Sequence, residues 1–482
     1  MAVGDVDGDG HEDVLIGAPG NLDFGAVYVF YGPVAPGRVT LSPATADVTL
    51  IGNESGDRFG EAVAVGDVDG DGRGEVVVGA PGTRARTGYP GTSSAITPGV
   101  GAAYVYDGAD LSDGRVPASA ARARLLGDSA TGGDVGWSVA VVPATDGTGA
   151  DGGDAGPNVS GANASEANAS GADASGGVLV GAPASGLPGE YVSTSSRAGS
   201  AYFVGRDSLS GTVPLSRADA AFRGRTRSEL AGWSLAVGDV DGDGVPDALV
   251  GAPNANRTRP GSVYVVRGPF EGRTNLSNAS ARLVGEAAGD GAGVDVSAGD
   301  VNDDGVDDVL VGAPSSDRSR PLAGAAYLVP GGDSLSGRVP LSESAVTLLG
   351  TGDGDWAGYA VLAADVTGDG RADLLVGAPS VRFDAAPGTV YLVPGGPSLP
   401  STIDLGARRS IFAGERVGDS AGWALASGSV GGSERPDLLV GSPYRQAPGR
   451  QDAGAAYLLY DPGGPADAAA SAGSRGQNRT DG

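Results

Sequence analysis

Residues 231–253 read AGWSLAVGDVDGDGVPDALVGAP. Two short apolar runs, Trp233 to Val237 and Asp247 to Val250, flank a turn that carries Asp239, Asp241 and Asp243 between glycines. Two more runs follow, Ser262 to Val266 and Ala281 to Val284. Each is four or five residues long and bounded by Gly, Pro, Asn or Asp, which reads as four antiparallel strands. No window holds a 3.6-residue period beyond a turn or two, so helix is not expected. Pro cannot donate to a ladder, so the closing Gly-Ala-Pro ends the second strand.

That Gly-Ala-Pro recurs. Its glycines are Gly17, Gly79, Gly181, Gly251, Gly312, Gly377 and Gly441, the last in Gly441-Ser442-Pro443. The spacings are 62, 102, 70, 61, 65 and 64 residues, a period near 64 with one long insertion. Seven units of four strands predict an all-β fold, a seven-bladed β-propeller of four-stranded antiparallel blades. The alternative is a stack of separate hairpin domains. The expected blades span about 1–52, 53–127, 128–224, 225–285, 286–350, 351–414 and 415–461. Residues 143–177 form a Gly, Ala, Ser and Asn-rich insertion expected to be disordered, and 462–482 a disordered tail. The aromatics Trp137, Trp233 and Trp423 each follow a Gly at the start of a first strand and are expected to pack between blades.

The loop between first and second strands repeats as Asp-x-Asp-x-Asp-Gly-x-x-Asp. Its copies are Asp5, Asp7, Asp9 and Asp13; Asp67, Asp69, Asp71 and Glu75; Asp239, Asp241, Asp243 and Asp247; Asp300, Asn302, Asp304 and Asp308; and Asp365, Thr367, Asp369 and Asp373. Carboxylates two residues apart on a tight turn repel unless a cation joins them. Ca²⁺ takes six to eight oxygens in forgiving geometry, whereas Mg²⁺ demands a strict octahedron. Position seven is expected to offer its backbone carbonyl, from His11, Arg73, Val245, Val306 and Arg371, and position nine to close the ring. About five Ca²⁺ sites are therefore expected. An EF-hand would need Glu at position twelve, which holds Ile16, Val78, Val250, Val311 and Val376. The alternative is five solvated Asp turns. The seventh unit has Ser429, Gly431 and Ser433 and keeps only Asp437, so no metal is expected there. The third unit has the insertion instead.

Phe59-Gly60, followed by the Asp loop and then Gly-Ala-Pro, resembles the FG-GAP repeat of the integrin α-subunit N-terminal β-propeller. The resemblance runs from residue 1 to about 461. The Phe-Gly drifts to Gly136-Trp137, Gly232-Trp233, Gly358-Tyr359 and Gly422-Trp423. It implies that the Asp loops bind Ca²⁺ on the lower face and that ligands bind the upper face. The longest upper loops, 82–100 and 184–198, carry Arg84, Arg86, Tyr89, Tyr191 and Arg197. Arg and Tyr are common at recognition hot spots. Unspecialised surface loops are the alternative.

Acidic residues number 59 against 32 basic ones, a net charge of −27, and every basic residue is Arg. Such a surface repels nucleic acid. The composition resembles that of proteins from salt-loving archaea, because at molar salt the Debye length is only about 3 Å. An acidic mesophilic protein from a GC-rich genome is the alternative. No Cys is present, which excludes disulfides and thiol chemistry. No apolar run is long enough to span a membrane. Asn-x-Ser/Thr sequons begin at Asn53, Asn158, Asn163, Asn168, Asn256, Asn275, Asn278 and Asn478, which is 8 of 11 Asn and argues for glycosylation and export.

The first unit opens at Met1 with most of its first strand missing, and the seventh ends without a fourth strand. The ring is therefore not expected to close in the usual way. Met1 is read as an internal start, with a signal peptide and the closing strand upstream. The expected function is an extracellular calcium-binding propeller acting as an integrin-α-like adhesion or ligand-binding module for a protein or glycan at the cell surface. A structural cell-wall component and the non-catalytic propeller of a secreted hydrolase are the alternatives. No catalysis is expected, since the single His, His11, lies in an Asp loop and no nucleophile elbow is present.

Overall fold

The computed structural model describes residues 1–463 apart from 22–23, 84–85, 88–94, 97–99, 112–113, 128–132, 145–158, 161–175, 185–197, 255–257, 381–385, 409, 434 and 446–453. It is a seven-bladed β-propeller. In the fourth blade Leu235–Gly238, Asp247–Ala252, Ser262–Val266 and Ala281–Val284 pair antiparallel in that order. The second strand is buried at every position, as it is in five other blades. Neighbouring blades cover both of its faces, which is why it reads as an unbroken Val, Leu and Ala run rather than an alternating one.

The blades are not simply four-stranded. After its third strand the chain crosses to the preceding blade and adds a parallel fifth strand to that blade's outer edge. Gly114–Pro117 pairs with Val48–Ile51, Gly211–Pro214 with Ala123–Leu126, Gly272–Asn275 with Ala220–Arg223, Gly337–Pro340 with Ala281–Val284, and Thr402–Asp404 with Val346–Leu349. A short 3₁₀ turn then returns the chain to its own blade, plugging Ala118, Leu215, Leu276, Leu341 or Leu405 into the core. These exchanged strands link successive blades like clasps. Their alternating small and polar residues carry too weak a pattern for sequence reading to find.

The repeat's glycines have a steric cause. A Cβ on Gly312 would lie 2.1 Å from the carbonyl oxygen of Gly358 in the next blade. The same approach recurs for Gly17 against Gly60, Gly79 against Gly136, Gly181 against Gly232 and Gly377 against Gly422. The glycine of each Gly-Ala-Pro thus makes room for the glycine that opens the following blade.

One sequence expectation is corrected. The first blade does have an inner strand, Ala2–Gly4, paired with Asp13, Val14 and Leu15. As expected, the ring does not close in the usual way among the described residues; blade 1 packs directly on blade 7 instead. Val3, Val14, Ala426, Val430 and Leu439 share a buried cluster. Val34 N donates to Val430 O at 3.1 Å, Tyr460 Oη donates to Val34 O at 2.8 Å, and Ser429 N donates to Glu12. Side-chain packing and these bonds replace a shared strand. The seventh blade is three-stranded among the described residues, as expected.

Within 143–177, Val159–Ser160 form a two-residue strand that pairs with Val63 and Ala64 of the second blade's inner strand. This departs from an unstructured excursion. Residues 145–158, 161–175 and the tail from 464 lie outside the described residues.

Candidate metal centres and the axial aromatic cluster

Each Asp loop is first a hydrogen-bonded turn. Asp5 accepts from Gly8 N at 2.7 Å and from Gly10 N at 2.8 Å, and Asp9 accepts from His11 N at 2.8 Å. The same bonds recur at Asp67 and Asp71, Asp239 and Asp243, Asp300 and Asp304, and Asp365 and Asp369. The Gly at position six has φ near +84° and nothing within contact of a notional Cβ at Gly10, Gly72, Gly305 and Gly370. Its requirement is therefore the left-handed backbone, not space.

Position nine does more than close a ring. Asp13 is fully buried and its two oxygens accept from Val6 N and Gly32 N, both at 2.8 Å. Asp247 holds Val240 N and Gly268 N, Asp308 holds Val301 N and Gly331 N, and Asp373 holds Thr367 N and Gly395 N. Asp437 does the same with Gly431 N and Asp461 N in the seventh blade, where the other acids are gone. This carboxylate, at the start of the second strand, therefore ties the loop to the residues just after the third strand, where the crossover begins, whether or not acids surround it.

Among the described residues, three of the five loops bring three carboxylates within reach of one ion: Asp5, Asp7 and Asp13; Asp67, Asp69 and Asp71; and Asp239, Asp241 and Asp247. In the loops of the fifth and sixth blades position three is neutral, and Asn302 Nδ2 and Thr367 Oγ1 donate to Asp308 and Asp373. Asp107, after the second blade's third strand, joins Asp69 and Glu75 in a further group. Sequence reading missed it because it lies outside the loop repeat. Arg122 reaches the same group, 2.8 Å from Asp69, and Arg267 lies 2.8 Å from Asp241. In the second loop Asp69 Oδ1 and Glu75 Oε1 are buried without hydrogen-bond partners. Such oxygens fit a hard cation, which would add to the partial compensation supplied by Arg122, 4.0 Å from Glu75 Oε1.

At position seven the Arg73 side chain lies against the position-four glycine of the preceding loop, Gly8, and Val306 lies against Gly242. The loops are stacked around the lower face rather than independent.

Burial pushes the position-nine acids up: Asp13 to about 7, Glu75 to about 8, Asp247 to about 8, Asp308 to about 7 and Asp373 to about 6. Backbone N–H donors offset this in part. A carboxyl with a raised folded-state pKa contributes stability that is complete below the ordinary range near 4 and is lost as pH rises through the folded value. Chelated protein is therefore expected to be more stable at pH 5 than at pH 8. Melting curves in EDTA at the two pH values check this, and an equal or higher midpoint at pH 8 would contradict it.

On the opposite face, the residues that open the inner strands gather near the axis. Trp137 and Trp233 of adjacent blades meet at 4.7 Å between ring centroids, and Tyr359 and Trp423 at 4.4 Å. Trp356 stacks on Tyr359, and the Arg58 guanidinium lies 5.4 Å from the Trp137 ring. They pack between blades, as expected from sequence, yet all of these aromatic rings remain partly exposed. Of the long loops singled out by sequence, Arg86–Thr87 and Ala95–Ile96 form a small hairpin. Arg84, Tyr89, Tyr191 and Arg197 lie outside the described residues.

Comparison with known proteins agrees with this architecture. The FG-GAP repeat family matches residues 1–30, 59–106, 231–266, 292–329 and 357–393, the five blades that carry Asp loops. Integrin alpha-PS2 of Drosophila melanogaster is 30% identical over 237 residues, covering 44% of this chain and 15% of that protein. Human integrin alpha-7 is 34% identical over 206 residues, 40% of this chain and 15% of that protein. Bovine phosphatidylinositol-glycan-specific phospholipase D is 34% identical over 158 residues, 32% of this chain and 18% of that protein. The alignments thus cover less than a fifth of these relatives' lengths. The chain carries FG-GAP repeats and is similar in part to integrin α subunits. No helix among the described residues is long and apolar enough to cross a membrane.

Proposed function

We propose that this chain is an extracellular recognition module whose propeller is stabilised by Ca²⁺ at its five Asp loops and whose opposite face binds a protein or glycan at the cell surface. The observation that carries the calcium reading is the pair of buried oxygens without hydrogen bonds on Asp69 and Glu75 beside Asp107. Asp5, Asp67, Asp239, Asp300 and Asp365, with the acids, Asn302 or Thr367 after them, would hold the ions. Bound calcium would supply charge neutralisation and rigidity, not chemistry on a substrate. Asn53, Asn275 and Asn278 are exposed, as an exported glycoprotein requires.

The recognition reading rests on the aromatic cluster, whose rings offer stacking surface at the centre of the face opposite the metal loops. Trp233→Ala is expected to weaken ligand capture on glycan and cell-surface protein arrays at least tenfold while leaving calcium stoichiometry unchanged. Equal capture by both proteins would remove the cluster from the ligand site. The similarity to a phospholipase D favours a second reading, a propeller that accompanies a hydrolase. Turnover of a phospholipid or polysaccharide by the purified chain would replace the non-catalytic reading.

A further inference from the structure

Neighbouring Asp loops are bonded to one another. The N–H of position eight donates to the carbonyl oxygen of position one in the preceding blade's loop. Gly74 N donates to Asp5 O at 2.7 Å, Asp307 N to Asp239 O at 3.0 Å and Ala372 N to Asp300 O at 2.9 Å. A side-chain contact accompanies each bond. Arg73 lies against Gly8, Val306 lies against Gly242, and Arg371 Nε donates to Asp303 at 3.3 Å. Between blades 4 and 5 the link is doubled, because the Asp307 carboxylate accepts from Asp239 N at 2.9 Å.

These bonds stop at two prolines. Position eight is Pro246 in blade 4 and Pro436 in blade 7, and neither has an N–H to give. Blade 3 has no Asp loop, and the blade 7 loop keeps only Asp437. The five acidic loops therefore fall into two linked runs, one of blades 1 and 2 and one of blades 4, 5 and 6.

We propose that calcium binds cooperatively within each run and independently between them, so that an ion in one loop raises the affinity of the loop bonded to it. The peptide group joining positions seven and eight is the coupling element, because it faces two ways. Its N–H is the donor just described, and its carbonyl is the position-seven oxygen expected to meet its own loop's ion. The oxygen that accepts the N–H belongs to position one, whose carboxylate would hold the ion of the preceding loop. One peptide plane and one aspartate thus stand between consecutive ions. A cation on the carbonyl polarises the N–H and strengthens its bond, and a loop already ordered spares its neighbour part of the cost of ordering. The inference rests on the calcium reading above. That reading is supported in the first run by Glu75, which is 1% exposed and turns an oxygen without a hydrogen bond toward Asp69 and Asp107.

The test follows hydrogen exchange of each loop in the full chain as free Ca²⁺ is raised from a chelated start. Asp241→Asn removes the blade 4 ion. It should raise the calcium midpoint of residues 300–308 at least about fivefold and leave those of 5–13 and 67–75 in place. Ala372→Pro copies Pro436, which stands at the same position after the blade 6 loop. With an unchanged circular-dichroism spectrum it should still bind five ions, but 365–373 should then respond to calcium identically with and without Asp241→Asn. Loss of the blade 4 ion with no shift at 300–308 would overturn the proposal and leave the calcium reading standing. Equal shifts in every remaining loop would overturn it too, because the coupling would then be global. An unsubstituted chain in which no loop gains protection from calcium would overturn both.

Discussion

Gly312→Val is expected to lower the stability of the ring by about 3 kcal/mol or more, enough to lose soluble protein. The new Cβ would stand 2.1 Å from Gly358 O, and Gly358 cannot retreat. Its own N–H is bonded to Gly377 O at 3.0 Å, and its notional Cβ direction is blocked by Ala325 O at 2.3 Å. Blade 5 would have to move away from blade 6, and a closed ring passes such a displacement to every interface. Gly305→Ala is the control. It leaves free space around the side chain and meets only the left-handed backbone, at φ +83°. Its expected cost is about 1–2 kcal/mol. Urea titrations of the two variants should therefore separate clearly. A Gly312→Val protein with a near-native midpoint would show that the blades do not approach as closely as described.

Calcium removal is expected to have the second large effect. Each site saturated at 100 times its Kd adds about 2.7 kcal/mol to the folded state. Chelation should therefore lower the melting midpoint strongly, and calorimetric titration of chelated protein should count about five ions. Two substitutions distinguish an ion site from a plain turn. Asp239→Asn replaces one of the two oxygens that accept from Gly242, Asp243 and Gly244 with an NH2 group facing an N–H, so it should destabilise the protein with or without calcium. Asp241→Asn keeps the shape of a side chain whose loop bond is one 3.2 Å contact from Asp243 N. It should delete one ion from the count and leave chelated stability little changed. Arg267, now 2.8 Å from Asp241, must yield to the ion, so guanidinium release should accompany binding. If EDTA leaves the melting midpoint unmoved, the loops are hydrogen-bonded turns and the calcium reading fails.

Much of this was legible in the sequence because it is local. A Gly-Ala-Pro after a Val or Leu run dictates a strand end wherever it occurs, and seven copies in one period dictate a propeller. The Asp loops are equally local, since each turn is closed by acids bonded to N–H groups two to five residues away. The blade-opening glycines could be seen but not explained, because the Gly-Ala-Pro glycines they meet lie 42 to 57 residues off in sequence.

What the tertiary structure alone decided is non-local. The clasp strands pair with the preceding blade, so nothing near Gly337–Pro340 reveals that Ala281–Val284 is its partner. Asp107 reaches Asp69 and Glu75 only because a third strand ends beside a loop that started the same blade. Position nine turned out to be a clamp, as Asp437 shows in a loop that has lost its other acids. Ring closure depends on Val3 meeting Ala426 across 423 residues of chain. The sequence by itself determined the number of blades and the chemistry of their loops, because period and turn geometry are encoded within a few residues. How the blades hold one another was decided only by the folded ring, because backbone pairing between distant segments depends on which edges are brought side by side.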